Sequence, residues 1–196
     1  MFESIKIVDG VPQHLDLHTA RINRSRRILF GSEDIIDCEN ILAGYRIPRA
    51  GIYKCRFMYG RTPGDVEFIP YRQRHISSLV LVRDDAIRYD HKYTDRSSLE
   101  RYSTGNENEE ACIVQNGLIT DTTYTNLVFT DGREWITPST PLLRGIQREY
   151  LLSIGAIREA PLKPEDLGRF SEAILINAMM DLRSGCRVMV EDIRGE

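Results

Sequence analysis

The dipeptide Asn116-Gly117 stands between two runs rich in β-formers, Ala111-Cys112-Ile113-Val114-Gln115 before it and Leu118-Ile119-Thr120 after it. Asparagine and glycine both reach the positive φ angles that a two-residue hairpin turn demands, so the two runs are expected to pair as antiparallel strands. The second of these strands is unusual. Thr120 to Asn126 is a run of hydroxyls and amides with one acid, Asp121, where a purely structural strand would alternate with aliphatics. Polar side chains crowded in this way suggest a lined pocket.

The rest of the chain supplies short elements of both kinds. Ser4 to Val8, Ile52 to Tyr59, Val66 to Tyr71, Ser78 to Val82, Ala173 to Ile176 and Val188 to Val190 are expected strands. Leu17, Ile22, Ile28 and Leu29 recur at loosely helical spacing from about Asp16 to Phe30, with Arg21, Arg24, Arg26 and Arg27 between them and Gly31 as C-cap. That pattern predicts an amphipathic helix with a basic, solvated face. Ser32-Glu33-Asp34 is expected to cap a second helix ending near Gly44, and Gly145 to precede a helix over Ile146 to Ile154. A short helix from Asp95 to Tyr102 is expected to begin beside Lys92. With 196 residues the chain allows one domain or two small ones, and two lobes are expected: 1–75, small and α+β, and 76–196, larger and α/β.

Composition excludes several function classes. A net charge of −3 gives no basic footprint for nucleic acid. No apolar stretch approaches the roughly 20 residues that span a bilayer, and Met1-Phe2-Glu3-Ser4-Ile5-Lys6 has no basic or apolar leader, so a cytoplasmic protein with no membrane partner is expected. Cys38, Cys55, Cys112 and Cys186 are scattered and are expected to be reduced core thiols; His14, His18, His75 and His91 lack metal-ligand spacing, and no metal site is expected.

Five blocks, in one order along the chain, carry a resemblance. They are His18-Thr19-Ala20-Arg21-Ile22; Lys92-Tyr93-Thr94-Asp95; Thr120-Asp121 with Thr125-Asn126-Leu127-Val128-Phe129; Thr137-Pro138 with Leu143-Arg144-Gly145-Ile146-Gln147-Arg148; and Ile176-Asn177-Ala178-Met179-Met180. Together they resemble the class IV pyridoxal 5'-phosphate enzymes, the D-amino-acid and branched-chain aminotransferase type, and are closest in motif to aminodeoxychorismate lyase. The resemblance implies a two-lobed α+β fold of the D-amino-acid aminotransferase (fold-type IV) kind, with the lysine and phosphate turns on the larger lobe. It implies pyridoxal 5'-phosphate as cofactor, a small-molecule amino substrate and a homodimer. Compared with that family, the chain is shortened before Phe2-Glu3-Ser4-Ile5.

By the same resemblance, Lys92 is the Schiff-base lysine and the proton shuttle. Asp121 is the acid at the ring nitrogen, in place of the family's Glu. The phosphate is held by Arg21, Ile146 and Gln147, the last in place of the family's Thr, with further donors from Asn177 and Ala178. Three readings of the activity stay open: formation of 4-aminobenzoate and pyruvate, favoured by the Asn-Ala-Met-Met turn; amino-acid transamination; and cofactor binding with weak turnover. Arg56, Arg61 and Arg74 are candidates by position for a substrate-carboxylate clamp.

Overall fold

The computed structural model describes residues 1–195 and divides into two compact units, Met1–Arg72 with His91–Thr94, and Gln73–Asp90 with residues 95–195. In the first, β1 (Phe2–Val8) pairs antiparallel with β3 (Ile52–Tyr59), flanked by β2 (Val11–Pro12) and β4 (Pro63–Pro70), in the order β2-β1-β3-β4. Side chains alternate across a strand, and Ile5, Ile7, Cys55 and Phe57 all fall on the face covered by α1 (Leu15–Phe30) and α2 (Cys38–Ala43). Ile22, Cys38 and Leu42 complete that core. Each such fully buried aliphatic side chain contributes about 1.5–3 kcal/mol. Helix α1 stops where expected, at Gly31, which takes a left-handed φ of 63° and donates its N–H to the carbonyls of Arg26 and Arg27.

The solvated basic face expected for α1 is only half present. Arg21 and Arg26 are buried. Arg26 is 0% exposed, and its Nη1 and Nη2 donors are taken up by Asn23 Oδ1, the Asp34 carbonyl and carboxylate, and the Arg61 carbonyl, which offsets part of the cost of burying a guanidinium whose Nε has no hydrogen-bond partner among the described residues. That bond also moves the second helix. Asp34 serves Arg26, and α2 starts later, at Cys38, with the Asp37 carboxylate accepting from Glu39 N as its N-cap. Strand β4 likewise begins at Pro63, earlier than expected.

Lys92, expected on the larger lobe, belongs to the first unit. Phe2 N–H donates to the Lys92 carbonyl at 3.1 Å, and His91 Nδ1 lies 3.1 Å from Ser25 Oγ, so this segment is tied to the start of β1 and to α1. No motif around residue 92 announces such a return of the chain.

The second unit holds two sheets. β5 (Ser78–Arg83), β6 (Glu109–Gln115), β7 (Leu118–Thr122) and the terminal β13 (Ile193–Arg194) form one, in the order β13-β5-β6-β7. β8 (Asn126–Thr130), β9 (Trp135–Pro138), β10 (Arg158–Ala160), β11 (Glu172–Ile176) and β12 (Cys186–Met189) form the other, in the order β10-β9-β8-β11-β12. Leu79, Cys112, Val114 and Ile119 of the first pack with Leu127, Phe129, Leu175 and Val188 of the second in one core. The opposite face of the five-stranded sheet is covered by α4 (Ile146–Ser153), through Leu151 against Val128, Ile174 and Ile176. Between β5 and β6 lies the single turn of α3 (Ser97–Glu100), where the Asp95 carboxylate accepts from Ser97 N. The hairpin is as expected, with Asn116 at φ 51° and Gly117 at φ 75° between β6 and β7. All four cysteines are free and buried.

Candidate active site

Strand β7 slips out of register after its first residues. Leu118 and Ile119 pair with Gln115 and Val114, but Thr122 pairs with Cys112, so Thr120 and Asp121 together face Ile113. This is a β-bulge, which re-aims side chains locally. Thr120 Oγ1 donates to the Ile113 carbonyl at 2.7 Å, while the Asp121 carboxylate receives Asn126 Nδ2 and Leu143 N–H, each at 2.8 Å. Asp121 is 4% exposed, and burial pushes its carboxyl up to about 7, against the partial offset of the two donors and of Arg148. Hence the site holds an acid whose ionisation is disfavoured by its burial.

The hydroxyls around it serve a different purpose from the pocket lining expected. Thr122 Oγ1 and Thr125 Oγ1 lie 2.7 Å apart, Thr122 N–H donates to the Thr125 carbonyl, and Thr123 Oγ1 donates to Glu110. They close the tight return from β7 to β8, which delivers Asn126 beside Asp121. Gly145 is required here. A Cβ at that position would lie 2.0 Å from Asn126 Oδ1. Gly145 is the N-cap of α4, and no side chain caps that helix, so the first-turn amides of Ile146 and Gln147 point outward as donors, with the positive end of the dipole behind them. Arg148 turns inward and donates to the Pro138 carbonyl at 2.9 Å and to Glu159.

The first unit carries its own cluster. Glu3 points inward from β1 and is completely buried, and Arg21 grips it through Nε and Nη2 while His18 Nδ1 lies 2.7 Å from Glu3 Oε2. Burial alone would raise the Glu3 carboxyl, but Arg21 and His18 outweigh it and hold it at about 2. Burial lowers His18, more than the neighbouring Glu3 raises it. At neutral pH the cluster is therefore an Arg–Glu ion pair with a neutral imidazole. Lys92 adds its charge to the field at His18, and its Nζ sits 4.7 Å from the centre of the Phe2 ring, which also carries the Arg56 guanidinium at 5.6 Å.

Lys92 and Arg21 thus stand in the first unit, and Asp121, Ile146 and Gln147 in the second. Asn177 closes a turn after β11, its Oδ1 accepting from Met179 N at 2.8 Å and its Nδ2 donating to the Tyr124 carbonyl at 3.4 Å, with Ala178 at the tip. Of the three clamp candidates, Arg74 is paired with Glu110 and lies over Tyr124, and Arg61 offers its carbonyl to Arg26. Sequence reasoning assigns no role to Glu3 or Asn126, and the structure gives each a charged partner. An acid at an inward position of an alternating strand is the available signal for Glu3.

Residues 1–188 match the Amino-transferase class IV family. The chain belongs to the class IV aminotransferases. An uncharacterized protein of Haemophilus influenzae (strain Rd) is 33% identical over 93% of this chain and 98% of its own length. A crystal structure from Haemophilus somnus 129PT, provisionally named a 4-amino-4-deoxychorismate lyase, superposes with a TM-score of 0.86 at 31% identity, covering 93% of this chain and 97% of the other. An aminotransferase from Brucella abortus, bound to pyridoxal phosphate, shares the fold at a TM-score of 0.68 and 19% identity, over 100% of this chain and 80% of the other. The class IV fold therefore extends along the whole described chain. Among the described residues no helix is long and apolar enough to cross a membrane.

Proposed function

We propose that this class IV chain holds pyridoxal 5'-phosphate, with Lys92 as the amine that carries it, and catalyses the aminodeoxychorismate lyase reaction. The observation that carries the cofactor reading lies within the second unit. There a buried carboxylate, raised to about 7 by burial, is joined through Asn126 and Gly145 to an uncapped helix N-terminus. A protonated ring nitrogen suits the first and a phosphate dianion the second. The donors of the second unit therefore fit the cofactor, with the Ala178 turn as a further donor to the phosphate; Asn177 would act through its backbone, since its side chain serves the turn, and Arg21, whose Nε and Nη2 are held by Glu3, is assigned to the phosphate by the resemblance alone.

When bound, the cofactor supplies a carbonyl carbon for amines and a ring that withdraws electrons from the carbon beside the amine. Lys92 binds it and, displaced by the substrate amine, takes the proton from the substrate carbon that bears that amine. Asp121 keeps a proton on the ring nitrogen, and Asn126 with Leu143 N–H fixes the carboxylate so that it does not turn away. In the lyase reaction the substrate's C–O bond then breaks, its electron pair leaving with the enolpyruvyl oxygen. The carbocycle becomes aromatic 4-aminobenzoate, and the departing enol takes a proton on carbon to become pyruvate.

The lyase reading is supported by the Asn177-Ala178-Met179-Met180 turn and by the name given to the Haemophilus somnus relative. Transamination, which uses the same lysine and acid, is favoured by the aminotransferase names of other fold relatives. Protein loaded with pyridoxal phosphate is mixed with 4-amino-4-deoxychorismate, and pyruvate is followed by coupled reduction. Pyruvate and 4-aminobenzoate should form in equal amounts and vanish with Lys92→Ala. Keto-acid release from D- or L-amino acids without that pyruvate would replace the lyase reading by the transaminase one, and silence in both assays would leave a cofactor-binding protein.

A further inference from the structure

The first unit contains a hollow that none of the five sequence blocks reaches. It has a volume of about 1020 Å³ and is walled by the β1–β2 turn, the start of α1, the end of α2 and the loop 44–50. Its floor belongs to the core, because Leu15, Leu42, Ile47 and Tyr53 all pack in the first unit's apolar cluster. Tyr53 stands two residues before Cys55 on β3, so it lies on the sheet face covered by the helices, opposite to Lys54 and Arg56.

The backbone holds this hollow open. At one end Gly51 N–H donates to the Asp9 carboxylate at 2.8 Å, and Asp9 N–H donates to the Gly51 carbonyl at 3.0 Å. Gly10, at φ 86°, comes so close to the loop that a Cβ there would touch Arg49 Cα at 3.5 Å. At the other end Tyr45 N–H donates to the Leu42 carbonyl, and the Tyr45 ring meets Phe68 edge-on with 6.4 Å between ring centres. Pro48 fixes its own φ between those anchors. The loop therefore does not settle onto the core, and apolar surface stays open to water.

Arg46 and Arg49 stand in that loop. Both are exposed and line the hollow, and among the described residues neither has a carboxylate at ion-pair distance, although Glu39 lines the same hollow. Two arginines against one glutamate leave the lining with an excess of positive charge.

We propose that this hollow binds a small organic anion with a ring-sized apolar body, the body on Leu15, Leu42 and Tyr53 and the anionic group on Arg46 and Arg49. The volume is at the top of the range of about 300–1,000 Å³ for hollows that take drug-sized ligands, and such sites combine an apolar lining with a few polar groups. Burying a ring on the floor removes apolar surface from water, and a guanidinium grips a carboxylate or phosphate with parallel N–H donors. The site is separate from the cofactor reading, since it contains none of the residues assigned to the cofactor.

The test titrates 1-naphthoate, 1-naphthyl phosphate and the neutral 1-naphthamide calorimetrically into the full chain, with and without pyridoxal phosphate. One anion or both should bind at least about tenfold tighter than the amide, the tighter of the two naming the anionic group, and the cofactor should not change that affinity. The double variant Arg46→Gln/Arg49→Gln should lose the advantage of the anions. Ala43→Trp, which sets an indole in the hollow from an exposed position, should block all three probes. Each of these positions is exposed, so both variants should keep the parent's thermal midpoint, which separates lost binding from lost folding. Anions that bind both variants as well as the parent, or no better than the amide, would overturn the proposal. So would binding that disappears when pyridoxal phosphate is added, because it would place the probes at the cofactor's own site.

Discussion

Replacing Asp121 by Asn tests the buried acid without changing its shape. The carboxyl stands at about 7 in the folded chain against an ordinary value of 3.8, chiefly through burial. At about 1.36 kcal/mol per pK unit, this displacement costs the cofactor-free protein ~4 kcal/mol once the pH is above both values. The sign follows from proton binding: between 3.8 and about 7 the folded state holds the proton and the unfolded state does not, so stability falls as pH rises through that window. Asn has no such dependence. It does leave a mismatch, because Asn126 Nδ2 and Leu143 N–H both donate to Asp121 and an amide accepts through only one of its two atoms, a penalty of about 1–3 kcal/mol. Urea unfolding of cofactor-free protein should therefore find Asp121→Asn less stable than the parent near pH 4, the two close together near pH 5, and the variant more stable, by roughly 1–3 kcal/mol, near pH 8. Added pyridoxal phosphate should stabilise the parent more than the variant. Stabilities that run parallel from pH 5 to 8 would refute the claim that burial raises this acid.

Gly145→Ala should lower stability by about 2–4 kcal/mol and weaken cofactor retention, because a Cβ 2.0 Å from Asn126 Oδ1 displaces the amide that bonds both Asp121 and the Leu143 carbonyl; a denaturation midpoint equal to the parent's would count against that packing. Glu3, held at about 2 against an ordinary 4.5, contributes ~3 kcal/mol that is fully present above pH 4.5 and lost as pH falls toward 2. Glu3→Gln should flatten the acid limb of the stability profile between those pH values, and an unchanged limb would contradict the Arg21–Glu3 pairing. The homodimer expected from the family should appear in sedimentation at micromolar concentration with cofactor bound, and a monomer under those conditions would refute it.

The hairpin is legible because Asn-Gly acts locally: its φ angles follow from two residues and need no tertiary partner. The end of α1 at Gly31 is legible for the same reason. Arg26 is not, since periodicity ranks an arginine as solvated and cannot see that carbonyls from Asp34 and Arg61 will surround it. The later start of α2 follows from that one side chain, through Asp34. At the candidate site Asp121, Asn126 and Gly145 stand in the sequence as letters of a motif, but their mutual dependence is a matter of ångströms. The bulge at Thr120-Asp121 and the close approach of Gly145 to Asn126 arise only when β7, β8 and the start of α4 are brought together. The threonines mislead because a hydroxyl that lines a pocket and one that closes a turn look alike in sequence. Lys92 reads as part of the larger lobe because nothing local marks the return of His91–Thr94 to β1.

The central claim is that Lys92 is the amine that carries the cofactor. Protein incubated with pyridoxal phosphate, reduced with borohydride, digested and analysed by mass spectrometry should carry the phosphopyridoxyl group on the peptide containing Lys92, and should lose it in Lys92→Ala. A label on Lys54 or Lys6, which lie on the neighbouring sheet face, or no label at all, would contradict the account.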